Sequence, residues 1–137
     1  GPTVLDVSVV IGWMDGADSH HEAAGAVLAD SRLRGDRLAI PASALAEVLV
    51  GPARRGHAAV ETAMVMFVRG SFDTVLLDEE VAVETATLRA SLGARLRLPD
   101  AMVIATAIIF DADRLVTTDR RWPHAVVMGF EGELVVV

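Results

Sequence analysis

Four acids, Asp6, Glu47, Asp100 and Asp119, are spaced so that a chain of alternating strands and helices would collect them at one place. Two lie in a single stretch, LRLPDAMVIATAIIFDADRLVTTDRRW, from Leu96 to Trp122. Pro99 suits the first position of a helix, where its missing N–H costs nothing, and Asp100 then falls in the first turn, where the helix dipole favours negative charge. Ala101 to Phe110 contains no charged residue, which predicts a helix buried on most of its surface. Asp111 to Asp113 break the run, and Arg114 to Thr118 read as a short strand ending just before Asp119. About twelve helical residues rise ~18 Å, and about five strand residues return ~16 Å. The two lengths nearly cancel, so Asp119 comes back to the edge where Asp100 began, provided helix and strand pack antiparallel.

The other two acids reach that edge from other elements. Asp6 ends a first strand, Thr3 to Val7. Glu47 sits one to two turns into the helix after a second strand, and a helical side chain leans toward its own N-terminus. Like charges about 4 Å apart repel by ~4 kcal/mol per pair at an effective dielectric near 20, so such a cluster needs protons or a cation. The twelve basic residues are all arginine, so no lysine is available to neutralise it. An all-oxygen set, with water and with Ser8 or Thr117 assisting, suits Mg²⁺ or Mn²⁺. An ion held this way lowers the pKa of a bound water and steadies a pentacovalent phosphorus, the chemistry of phosphodiester hydrolysis. His20, His21, His57 and His124 show neither ligand nor triad spacing. Read singly, Asp100 is equally a dipole partner, Asp119 a turn cap and Glu47 a surface residue. Asp6, at the end of an apolar strand, is the hardest to explain without a partner.

The elements that must position these acids follow in order. Ser8 is expected to cap a helix through Trp13, and Asp18 or Ser19 to cap a second one that Gly35 closes. Arg37 to Ile40 is a strand, and Pro41 opens a helix with Leu45, Val48 and Leu49 inward. Gly51-Pro52 and Gly56 predict a break before an apolar helix from Ala58 to Arg69. A strand from Phe72 to Leu77 and a long helix from Asp78 or Glu79 to about Leu96 lead into the stretch above. Ala125 to Met128 and Glu133 to Val137 read as edge strands. Strands alternating with helices predict a three-layer α/β/α domain around a mainly parallel sheet, a single unit over residues 3–137, with Gly1-Pro2 resembling a tag remnant.

Composition narrows the function. A net charge of −7 argues against salt-driven coating of nucleic acid by the whole surface, while leaving room for a local basic rim. Arg120 and Arg121 follow Asp119 directly and suit phosphate contact there. With no cysteine, thiolate catalysis and thiolate zinc sites are excluded, and a reducing cytoplasm is the expected location. The longest apolar run is far shorter than the ~20 residues that cross a bilayer, so no membrane is expected. Met64 to Val68 reads as core or, if exposed, as a groove for a partner's helix. Phosphoacceptor and Asp-nucleophile phosphatase domains also end their first strand in an acid, but they rely on a lysine that this chain lacks. A dinucleotide fold would want a glycine-rich turn where Val7-Ser8-Val9-Val10 stands.

Taken together, Asp6-Val7-Ser8, Ala46-Glu47-Val48-Leu49, Leu98-Pro99-Asp100-Ala101 running into Val103 to Ala107, and Thr117-Thr118-Asp119-Arg120-Arg121-Trp122 resemble PIN-domain ribonucleases, most of all the VapC toxins of bacterial toxin–antitoxin pairs. The resemblance runs from Thr3 to about Val127. It implies a PIN-like fold, Asp6, Glu47, Asp100 and Asp119 as metal-site residues, and Ser8 and Thr117 in support. It also implies Mg²⁺ or Mn²⁺ as cofactor, endoribonuclease activity, a homodimer, and a cognate antitoxin that covers the site. Val7 and Trp122 depart from the commoner family residues without touching the acids. The alternative is a PIN-like module that binds RNA or protein without cutting.

Overall fold

The computed structural model describes residues 1–137. Five short strands, β1 (Thr3–Leu5), β2 (Leu38–Pro41), β3 (Phe72–Val75), β4 (Arg114–Thr117) and β5 (Glu133–Val136), form one sheet in the order β3-β2-β1-β4-β5. Every neighbouring pair is parallel. The helices are α1 (Val7–Met14), α2 (His21–Leu33), α3 (Ala42–Arg55), α4 (His57–Arg69), α5 (Glu79–Leu92), α6 (Leu98–Ile109) and α7 (Ala125–Met128). Helices layered on a parallel sheet give the expected three-layer α/β/α architecture. The chain winds outward from β1 to β2 and β3, then returns to the other side of β1 for β4 and β5, so strand order reverses beside β1. Crevices that hold ligands form at the carboxyl ends of strands at such a reversal.

Burial follows the apolar pattern. Val4, Leu5, Ile40, Leu115 and Val116 are buried on the sheet, and Ala101 and Val103 to Ala107 on α6. Fully burying a side chain such as Ile104 contributes about 2–3 kcal/mol. Thr106, fully enclosed on that helix, satisfies its hydroxyl by donating to the Met102 carbonyl at 2.7 Å. No helix is long and apolar enough to cross a membrane.

Several local expectations are corrected. Asp6, not Ser8, caps α1: its extended backbone turns the chain, and its carboxylate accepts from the Val7 N–H at 2.8 Å. Neither Asp18 nor Ser19 caps α2 directly, because Asp18 accepts from the His20 N–H instead and the helix opens at His21. The break expected at Gly51-Pro52 does not occur, and α3 runs on to Arg55 with Pro52 inside. Pro52 forfeits the bond to the Val48 carbonyl, a local cost that the helix carries without breaking. Gly56, at φ 110°, makes the turn. The helix expected to reach Leu96 stops at Leu92, where Gly93 leads into one 3₁₀ turn and Leu96 drops into the core. Ala125 to Met128 forms a one-turn helix rather than a strand. His124 O accepts from both Val127 and Met128, Gly129 closes the turn in the left-handed region, and Met128 and Phe130 are drawn into the core. Tertiary anchoring here overrides the strand preference of two adjacent valines.

Candidate active site

Asp6 follows the last residue of the central strand and is 3% exposed. One carboxylate oxygen, Oδ1, accepts from the Val7 N–H. The other, Oδ2, accepts from the Thr117 hydroxyl at 2.8 Å and the Ser8 hydroxyl at 3.1 Å. Ser8 and Thr117 thus hold this acid in place from two elements. Each also ties in the loop after β4: Thr117 Oγ1 accepts from the Asp119 N–H at 3.0 Å, and Ser8 Oγ from the Thr118 N–H at 3.4 Å. Burial pushes the Asp6 carboxyl above the ordinary range, and the nearby Glu47 charge pushes the same way, while the three hydrogen bonds pull it down. No cationic side chain pairs with it.

Asp100 lies in the first turn of α6, after Pro99, with its side chain 18% exposed. Burial raises its pKa above the ordinary value, and the charges of Asp6 and Asp119 add to that rise. Glu47, exposed on α3, makes no hydrogen bond. Asp6, Glu47 and Asp100 line one small recess with Val7, Ala44, Pro99 and Val103. Its volume of about 10 Å³ is near the least that admits one water.

Asp119 stands differently. Its carboxylate is held by Arg121, which donates to Oδ1 from Nε at 3.1 Å and to Oδ2 from Nη2 at 3.3 Å, with its backbone N–H on Oδ1 at 2.9 Å. That guanidinium lowers the Asp119 pKa. Asp119 does not line the recess; it is linked to it through Thr117 and through its charge on Asp100. Arg120 is exposed and forms no ion pair. Arg97, at the cap of α6, reaches toward Asp100 with Nε 3.8 Å from Oδ2. The three-residue spacing from Arg97 to Asp100 at the helix start is the sequence signal for this pair. As they stand, no three acidic or histidine side chains are close enough to hold a metal as a set. The donor chemistry nonetheless fits a hard dication: three acidic residues line one water-sized recess, and Asp6 Oδ1, with one hydrogen bond, keeps a free lone pair.

Beside the recess, a groove of about 770 Å³ runs between α1, α3 and α4, lined among others by Ile11, Met14, Glu47, Val48, Arg55 and Met66. Glu47 belongs to both. The sequence reading marked only Met66 of the remainder, because the groove depends on how three helices pack.

Among solved structures, the DNA-bound VapBC of Salmonella typhimurium is 18% identical over 98% of this chain and 96% of its own, with a TM-score of 0.69. FitAcB of Neisseria gonorrhoeae is 18% identical over 97% and 96%, at 0.66. VapC20 of Mycobacterium tuberculosis, described as a sarcin-ricin loop cleaving toxin, is 15% identical over 82% and 86%, at 0.67. These likenesses are of fold. No curated protein matches the sequence. The family model of the PIN domain matches residues 3–127, which takes in all four acids and every strand but the last. On that match, and with the parallel sheet to go with it, the chain belongs to the PIN-domain family.

Proposed function

We propose that this protein is a divalent-metal-dependent endoribonuclease and the toxin of a toxin–antitoxin pair. The observation that carries the reading is the recess shared by Asp6, Glu47 and Asp100, where the most buried acid has no cationic partner. Buried carboxylates without a counter-charge are costly, and a cation from solution removes the cost. Mg²⁺, or Mn²⁺ in its place, would supply a water of lowered pKa and stabilise charge developing on a phosphate. The chain's part is to hold that site: Asp6 fixed by Ser8 and Thr117, Asp100 by the first turn of α6, Glu47 from α3, and Asp119 at the rim once it parts from Arg121. RNA is the substrate we assign.

The partners follow from the surface. The groove between α1, α3 and α4 mixes apolar side chains with Asp15, Glu47, Arg55 and Thr62 and opens beside the recess, so an antitoxin helix laid there would cover Glu47 and the approach to the recess. A homodimer is the assembly we propose, with the cytoplasm as its location and residues 3–137 as its single domain.

A second reading, a PIN module that binds without cutting, draws on the arginines paired with Asp100 and Asp119 and on the absence of a ready-made three-acid set. The two separate on incubation of the purified chain with total RNA in Mg²⁺ or Mn²⁺, beside EDTA and the Asp6→Asn and Asp100→Asn variants. We expect cleavage that EDTA and both variants abolish. Cleavage indifferent to the variants, or none with either metal, would establish the silent module.

A further inference from the structure

The two arginines at the rim come from different segments. Arg97 precedes α6 and Arg121 follows β4, yet both lie against acids of the proposed site. Their side chains are 79% and 88% exposed. An exposed ion pair adds little stability, so either guanidinium exchanges partners at little cost. A phosphate is the better partner, since its oxygens accept two parallel N–H bonds from the guanidinium fork. Arg121 acts on Asp100 as well as Asp119, and Arg97 on Asp119 as well as Asp100, so the four charges form one cluster at the mouth. In a chain of net charge −7, these arginines put positive charge beside the acids, where a polyanion would otherwise be repelled.

We propose that Arg97 and Arg121 form a two-sided clamp for the RNA backbone, parked on Asp100 and Asp119 and transferred to substrate phosphates when a cation takes over the two acids. The inference rests on the nuclease reading and adds to it which residues hold the substrate. Whatever neutralises the acids removes the arginines' partners at the same moment, so the positive rim is freer for phosphate when the site is loaded. Neither arginine lines the recess itself, and both act by binding substrate.

The test is fluorescence anisotropy of a short fluorescein-labelled single-stranded RNA titrated with the folded protein. Ca²⁺ replaces Mg²⁺, a gel confirms intact RNA, and salt is varied between about 50 and 200 mM. Arg97→Gln and Arg121→Gln are each expected to weaken binding roughly 5–10-fold and to flatten the log–log salt dependence by about 0.7 per arginine removed. The double variant should lose about twice that slope. In cleavage with Mg²⁺, KM should rise by a similar factor while kcat stays within about twofold, as for binding that is uniform along the reaction. Arg→Lys should restore the slope but only part of the affinity. Arg37→Gln, which removes an equal charge paired with Asp73 at the start of β2, should change neither. Slopes equal to wild type in both rim variants would overturn the clamp, even if wild type cleaves RNA. A wild type that does not cleave with any metal would overturn the nuclease reading instead, while the slopes would still decide the clamp.

Discussion

The two ends of the sheet use the same ingredients to opposite effect. At the amino edge, where strands begin, Arg114 is buried with its side chain 8% exposed and donates to Asp30 at 2.8 Å and to Ser31 at 3.3 Å, with Glu133 4.0 Å from its Nε. Arg37 pairs with Asp73, and the Thr3 hydroxyl donates to Asp36. A cation lies at the centre of that edge; Asp30, Asp73 and Glu133 face solvent, while Asp36 is enclosed beside the Thr3 hydroxyl. At the carboxyl edge the order is inverted: the acid is at the centre and the arginines are outside. Asp6 has hydroxyls and one backbone N–H for company, and the guanidinium groups reach only Asp100 and Asp119. A buried cation paired with an acid carries its own counter-charge, even with its Nε left without a hydrogen bond. A buried acid with no cation beside it is an arrangement that something else completes, which is why one edge is read as structure and the other as a site.

The sharpest way to break this contrast is to disarm each edge in turn. Asp6→Asn is expected to reduce metal-dependent RNA cleavage by roughly 10²–10³-fold or more, since it removes a charge on which the proposed site depends. Its melting temperature should stay within a few degrees of wild type, because asparagine also caps helices well. Arg114→Ala should do the reverse. It takes a buried donor from Ser31, which keeps only the Thr3 hydroxyl, although Asp30 and Glu133 are more than half exposed and stay hydrated. We expect about 2 kcal/mol of lost stability, below the range for fully enclosed pairs, and a melting temperature lower by about 6–10 °C. Cleavage per folded molecule should be unchanged. Urea melts read with RNA cleavage on the same samples check both. If Asp6→Asn unfolds the protein, or Arg114→Ala loses activity while folded, the division of labour is wrong.

How much of this was written locally in the sequence differs between those edges. The α6 to β4 stretch was legible because its signals are all short-range: Pro99 at a helix start, an uncharged run, a break at Asp111 to Asp113, and a β-branched strand. The return of Asp119 toward Asp100 followed from counting rises. That Asp6, Glu47 and Asp100 face one recess was expected from strand ends in a parallel sheet. Asp119, drawn off by Arg121, shows where the counting stopped, because rise per residue places a backbone and says nothing of a side chain's partner. Arg114 was hidden for the same reason: it read as the first residue of a strand, and its partner Asp30 lies 84 positions away. The turn at Ala125 to Met128 was misread because its conformation is set by burial of Met128 and Phe130, not by its valines.

The finest contrast lies within the carboxyl edge, between Asp100 and Asp119, and pH separates them. Burial and neighbouring acids hold the folded Asp100 carboxyl above its ordinary value of 3.8. Folding therefore favours its protonated form, and the cost of its charge grows as pH rises from the unfolded value through the folded one. At neutral pH without metal that cost is fully present, so Asp100→Asn should raise the melting temperature by about 1–3 °C. Asp119 is held below the same reference by Arg121. Its contribution is stabilising above the unfolded value and fades as pH falls through the folded one. Asp119→Asn should therefore lower the melting temperature at neutral pH, by about 1 °C or less because the pair is largely exposed to solvent. Calorimetry from neutral pH down to about pH 3 should show both differences shrinking, since protonation makes each wild-type acid resemble its amide. Added Mg²⁺ should raise the wild-type melting temperature more than that of Asp100→Asn. Shifts of the same sign in the two variants at neutral pH would mean that the arginines, and not the recess, set the energetics of the whole rim.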